Sequence, residues 1–67
     1  MPLARYGVTI WLQGPNGAGH IRVFDTDDEV YAIKLGENWA NSKEPVNRIQ
    51  VFDRANGYPI WLWSAPK

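Results

Sequence analysis

The 67-residue chain has no cysteine, one methionine and one histidine. Without cysteine there is no disulfide framework and no thiolate metal site. The single histidine, His20, has no serine or cysteine beside it in sequence, and Ser42 and Ser64 are the hydroxyls a nucleophilic triad would have to recruit from elsewhere. A histidine at a loop edge is ordinarily solvated or hydrogen-bonded, so no catalytic residue is assigned. Net charge is also missing, because seven basic side chains balance seven acidic ones. That removes the broad positive field by which proteins hold nucleic acid through its phosphates and leaves room only for a local basic patch. No apolar run approaches the roughly 20 residues needed to cross a bilayer, and Met1-Pro2-Leu3-Ala4-Arg5 is not followed by the apolar stretch of a signal peptide. A soluble, cytoplasmic chain with no membrane partner is expected.

What is present is a period of two. Tyr6, Val8, Ile10 and Leu12 alternate with Gly7, Thr9, Trp11 and Gln13, which reads as a strand. Gly14-Pro15-Asn16-Gly17-Ala18-Gly19 then reads as a hairpin tip, and His20 to Asp25 as the returning strand. Residues 48–53 form another alternating stretch, closed by Arg54-Ala55-Asn56-Gly57 with its Asn-Gly turn signal. Tyr58 to Ser64 is the last strand, placed at a sheet edge because Pro59 has no N–H to donate to a ladder.

The segment Val30 to Leu35 fits two periods. Tyr31, Ile33 and Leu35 alternate as in a strand, yet Thr26 with Glu29 has the form of a helix capping box, and Tyr31, Leu35 and Trp39 make an i, i+4, i+8 stripe. An internal repeat favours the strand. Ile21-Arg22-Val23-Phe24-Asp25 matches Ile49-Gln50-Val51-Phe52-Asp53, and Tyr6, Tyr31 and Tyr58 each head a similar alternating segment. Gly36 adds a cost of about 1 kcal/mol to a helix running through it. The expectation is an all-β single domain over 1–67, a five-stranded antiparallel meander forming a curled sheet or small barrel. Residues 36–47 form the long connection, with room for a short helical turn.

A domain this small buries only about 60% of its unfolded surface, so its core must be dense or be completed by a partner. On the expected alternation, Tyr6, Val8, Ile10, Leu12, Ile21, Val23, Tyr31, Ile33, Leu35, Ile49, Val51, Tyr58, Ile60 and Leu62 face inward. Trp11, Phe24, Phe52, Trp61 and Trp63 face outward, interleaved with Arg22, Lys34 and Gln50. Exposed rings in that number would exceed the few hundred Å² of contiguous apolar surface usual on a monomer. Three things could cover them: the 36–47 loop with Trp39, a protein partner or second copy, or a ligand stacked on the rings. The candidate binding residues are therefore Trp11, Arg22, Phe24, Lys34, Trp39, Phe52, Trp61 and Trp63.

Motifs of metal and phosphate chemistry are incomplete. Residues 14–19 have the glycine spacing of a phosphate-binding loop, but His20-Ile21 stands where Lys-Ser/Thr is required. Asp25, Asp27, Asp28 and Glu29 lack the ligand alternation and glycine of a calcium loop and read as a polar turn. No cofactor or metal is assigned. His20-Ile21-Arg22-Val23-Phe24 followed by Glu37-Asn38-Trp39 resembles a blade of the fucose-binding β-propeller lectins. The resemblance implies sugar contacts from Arg22 and Trp39, but Ile33 stands where that family has an acidic residue and Gln50 replaces the arginine in the second copy. Val8-Thr9-Ile10-Trp11 with residues 46–51 is similar to the outer strands of a βγ-crystallin domain, without its calcium-binding and aromatic-corner residues.

The expected function is a non-enzymatic binding module, such as a small inhibitor or regulator, for a protein partner or a homo-oligomer. The alternative is a carbohydrate or single-stranded nucleic-acid reader using the same tryptophans, with nucleic acid the weaker of the two on charge.

Overall fold

The computed structural model describes residues 4–14 and 19–66. They form four antiparallel strands in one sheet and a single helix: β1 (Tyr6–Gln13), β2 (Gly19–Thr26), α1 (Glu29–Ala40), β3 (Val46–Asp53) and β4 (Tyr58–Ser64). The strand order is β2-β1-β3-β4. All four expected strands outside 30–35 are present, and β4 with Pro59 lies at an edge. The tip of the first hairpin, residues 15–18, lies outside the described residues, while Gln13 pairs with Gly19 on either side of it.

The expected fifth strand is a helix, and no barrel forms from these strands. α1 starts two residues later than the expected capping box. Asp28 is extended, with φ of −102°, and its carboxylate accepts the Tyr31 N–H at 3.2 Å. Thr26 Oγ1 in turn accepts the Asp28 N–H at 3.2 Å, and Glu29 puts an acidic group at the positive end of the helix. The other end is closed by Asn41, whose backbone N–H and Nδ2 both donate to the Glu37 carbonyl, and by Ser42 Oγ, which donates to the Trp39 carbonyl at 2.7 Å. Pro45 follows just beyond the break.

α1 also has a topological task. β2 and β3 both run antiparallel to β1 and lie on either side of it, so the chain leaving β2 must cross β1 to enter β3. A crossover of this kind takes a dozen or more residues, which a helix supplies while covering the strand it crosses. Its buried stripe is Ala32 and Gly36, flanked by partly buried Leu35 and Trp39, whereas Tyr31 is 55% exposed. The core beneath consists of Tyr6, Val8, Ile10 and Leu12 of β1 with Val46, Ile49 and Val51 of β3.

Gly36 sets the helix-to-sheet distance. A Cβ there would lie 2.9 Å from Trp61 Cζ3 and 3.4 Å from Ile49 Cγ2, so the close approach needs glycine for space. At the end of the sheet near the helix start, Asp53 is 1% exposed and satisfied on every side. Its carboxylate accepts from Arg5 Nε at 3.1 Å, Arg5 Nη2 at 3.2 Å, the Ala55 N–H at 3.0 Å and Asn56 Nδ2 at 2.7 Å. This ties the N-terminal entry to the β3–β4 turn, which closes with Gly57 at φ of 78°. The hydrogen bonds from Arg5, and secondarily the backbone N–H groups of the turn, hold the Asp53 carboxyl below its ordinary pKa against the opposing effect of burial.

Two outcomes follow from these contacts. Gly36→Val should destabilise the fold by on the order of 1–3 kcal/mol in denaturant titration, since the added methyls must displace the Trp61 ring; an unchanged midpoint would place the helix farther from β4. Because the folded pKa of Asp53 is depressed, its stabilisation is fully present above the unfolded value of about 4 and is lost as pH falls through the folded value. Asp53→Asn should accordingly show a shallower loss of stability than the parent below about pH 4, and parallel curves would contradict that assignment.

Candidate functional site

Residues paired across strands share a face of the sheet, and the register therefore assigns every side chain. On the helix-covered face, Phe24, Val8, Val51 and Trp61 form one row, and Arg22, Ile10, Ile49 and Trp63 the next. On the other face the rows, read from β2 to β4, are Asp25-Gly7-Phe52-Pro59, Val23-Thr9-Gln50-Leu62 and Ile21-Trp11-Arg48-Ser64. No described helix or strand packs over this second face. Ile21, Val23 and Leu62 are 55%, 57% and 58% exposed, and Trp11 and Phe52 are half-buried among them.

The sequence-derived candidates are divided between the two sides. Trp11 and Phe52 lie on the open face as expected. Phe24, Trp61 and Trp63 do not: they pack against the core under or beside α1, and the Phe24 ring lies 6.2 Å from that of Trp39. Arg22 is exposed on the helix side of edge strand β2, and Lys34 is exposed on α1 itself. Conversely Ile21, Val23 and Leu62, expected in the core, are exposed on the open face. These three, with Pro59 and Arg48, are the site residues that sequence reasoning missed. One signal was available, since a hairpin in which Gln13 pairs with Gly19 also pairs Trp11 with Ile21 and Val8 with Phe24.

Two arginines shape the polar part of the open face. The Arg48 guanidinium lies 4.9 Å from the centre of the Trp11 ring, a cation–π contact between paired residues of β1 and β3. Arg54, from the β3–β4 turn, donates to the Ala4 carbonyl and to Asp25 Oδ1, both at 2.6 Å. Its guanidinium lies over Gly7, where a Cβ would come within 2.7 Å of Nη2. Glycine thus makes the hollow that the arginine fills. Asp53 bonds the backbone of its own turn, whereas Asp25 at the matching repeat position is engaged by Arg54.

Beside the end of α1 lies an open depression of about 200 Å³ lined by Leu35, Asn38, Trp39, Ser42 and Glu44. Ser42 Oγ is committed there, donating to the Trp39 carbonyl and accepting from the Glu44 N–H. Among the described residues no three His, Asp or Glu side chains converge as metal ligands. No helix among them is long and apolar enough to cross a membrane. Compared with protein-family models, curated proteins and solved structures, the chain has no significant match.

The division of the rings is measurable. Trp61→Ala should cost on the order of 2–3 kcal/mol, somewhat below the loss at a fully buried tryptophan, because it opens a void under Gly36. Trp11→Ala should cost clearly less. Equal losses in denaturant titration would show that the two rings are not on differently covered faces.

Proposed function

We propose that this chain is a non-enzymatic protein-binding module and that the face of the sheet opposite α1 is its docking surface. The observation that carries the reading is the exposure of Ile21, Val23 and Leu62, each more than half accessible, on one face with Trp11 and Phe52. Antiparallel sheets that leave one face to solvent place polar residues there. Aliphatic side chains held at strand positions lose little further entropy on binding, so desolvating them contributes most of its free energy to association. Trp11 beside Arg48 adds the two residue types most enriched at interface hot spots. A small regulator or inhibitor would act through such a surface.

Stacking of sugars or single-stranded nucleic acid is the weaker reading. It relied on several neighbouring tryptophans, and Trp61 and Trp63 are engaged with the core. The open face keeps two rings, in different rows and on different strands, with no net positive charge on the chain.

The test is site-specific photo-crosslinking in the expressing cell, with p-benzoylphenylalanine at Val23 and, as control, at Val30, which is 60% exposed on α1. Discrete adducts whose attached peptides are identified by mass spectrometry are expected at Val23 and not at Val30. Nucleic-acid or glycan adducts at Val23, or the same adducts at both positions, would overturn the reading.

A further inference from the structure

Building on the protein-binding reading, we propose that the occupant of the open face is a second copy of this chain, packed sheet against sheet about a two-fold axis that crosses the strands at the Val23-Thr9-Gln50-Leu62 row. Three observations carry it: the size of the face, the distribution of large and small residues on it, and the positions of its charges.

Strands of eight residues rising about 3.3 Å each, in four rows about 4.8 Å apart, give a footprint on the order of 500 Å² per copy before side-chain relief. That is about a tenth of the 4805 Å² surface of the chain, and two copies together bury at least about 1,000 Å², the size at which a specific interface begins. Two sheets pack face to face about 10 Å apart with their strands within roughly 30° of one another. Only in-plane two-fold axes achieve this with identical copies.

There are two such axes. An axis along the strands would lay β1 of one copy over β3 of the other, and the two Arg48 residues would then occupy one row on facing central strands, about 5 Å apart sideways. Like charges that close in a desolvated interface oppose association. An axis across the strands lays each strand over its own counterpart. The two Arg48 residues are then four strand positions apart, about 13 Å along the sheet. Each guanidinium meets Phe52 of the other copy, and each Trp11 meets the flat Arg54 guanidinium that fills the space over Gly7, its charge paired with Asp25. Val23 faces Val23 and Leu62 faces Leu62 at the two edges, with Thr9 and Gln50 free to hydrogen-bond between them. Trp11 thus falls where glycine contributes no side chain of its own, the two Arg48 charges stay apart, and the Arg54 guanidinium nearest to Arg48 of the other copy is already neutralised by Asp25.

The absence of cysteine makes the test clean. Val23→Cys, Leu62→Cys and a Val30→Cys control are purified separately and treated with a bis-maleimide spanning about 10 Å, the separation of packed sheets. Val23→Cys alone and Leu62→Cys alone should each link to themselves, with a yield on the order of tenfold or more above Val30→Cys, because association raises the local thiol concentration. Sedimentation of the unmodified chain should show a species of twice 7.6 kDa that dissociates on dilution. Links formed only when Val23→Cys is mixed with Leu62→Cys would place the axis along the strands and overturn the geometry. A 7.6 kDa species at every concentration, with no links, would overturn the second copy as occupant. Photo-adducts of Val23 with a different protein would then still uphold the docking face, and their absence as well would remove both.

Discussion

At Gly36 the helix lies so near the ring of Trp61 that a Cβ would collide with it, and the remaining architecture depends on this close packing. With a glycine and an alanine as its buried stripe, α1 lies low enough to cover β1 and β3 and to reach the partly buried rings of β2 and β4. The helix lacks the large apolar ridge usual in amphipathic helices. The sheet supplies the bulk instead, through Ile10, Ile49, Trp61 and Phe24. Gly36 therefore costs helix propensity and is offset by packing, a local preference overridden by tertiary contact.

A single helix of twelve residues can cover only one face of a sheet. The chain has no further described element to place on the other, so the asymmetry between the two faces is a consequence of length and topology. The covered face includes the ion-paired Asp53 and an unbroken set of buried β1 and β3 side chains. The other face has aliphatic groups in water. For a domain that buries little of its surface and has no disulfide, association through that face would extend the core across two chains, as oligomerisation does in other small scaffolds.

The strands were legible because each carries a period of two with turn residues at its ends, and the Asn-Gly turn and Pro59 at an edge appear where their chemistry requires. The helix was not, since Tyr31-Ala32-Ile33-Lys34-Leu35 satisfies a period of two as well as the helical period, and the apparent repeat weighted the wrong one. The faces were hidden for a different reason. Alternation says which residues of one strand lie together but leaves open which faces join across strands. In β2 the pairing of Gln13 with Gly19 decides this, and Ile21 and Val23 turn outward. In β4 a bulge decides it: the irregularity between Val51 and Phe52 absorbs one residue, pairs Trp61 with Val51 instead of Gln50, and so moves Trp61 and Trp63 to the helix side while Leu62 turns out. Of the candidate site, Trp11 and Phe52 were readable because β1 and β3 are central and pair with each other in continuous register from Tyr6–Asp53 to Trp11–Arg48.

α1 seals one face of the sheet, and the proposed association would close the other. Relaxation of side-chain methyl groups by a soluble gadolinium chelate, followed by NMR along a dilution series, measures this directly. Ile10, Ile49 and Val51 should stay protected at every concentration, while relaxation at Ile21, Val23 and Leu62 should rise as the protein is diluted. Methyls of Ile21, Val23 and Leu62 as protected as Ile49 in the dilute monomer, or Ile49 relaxed alongside them, would contradict it.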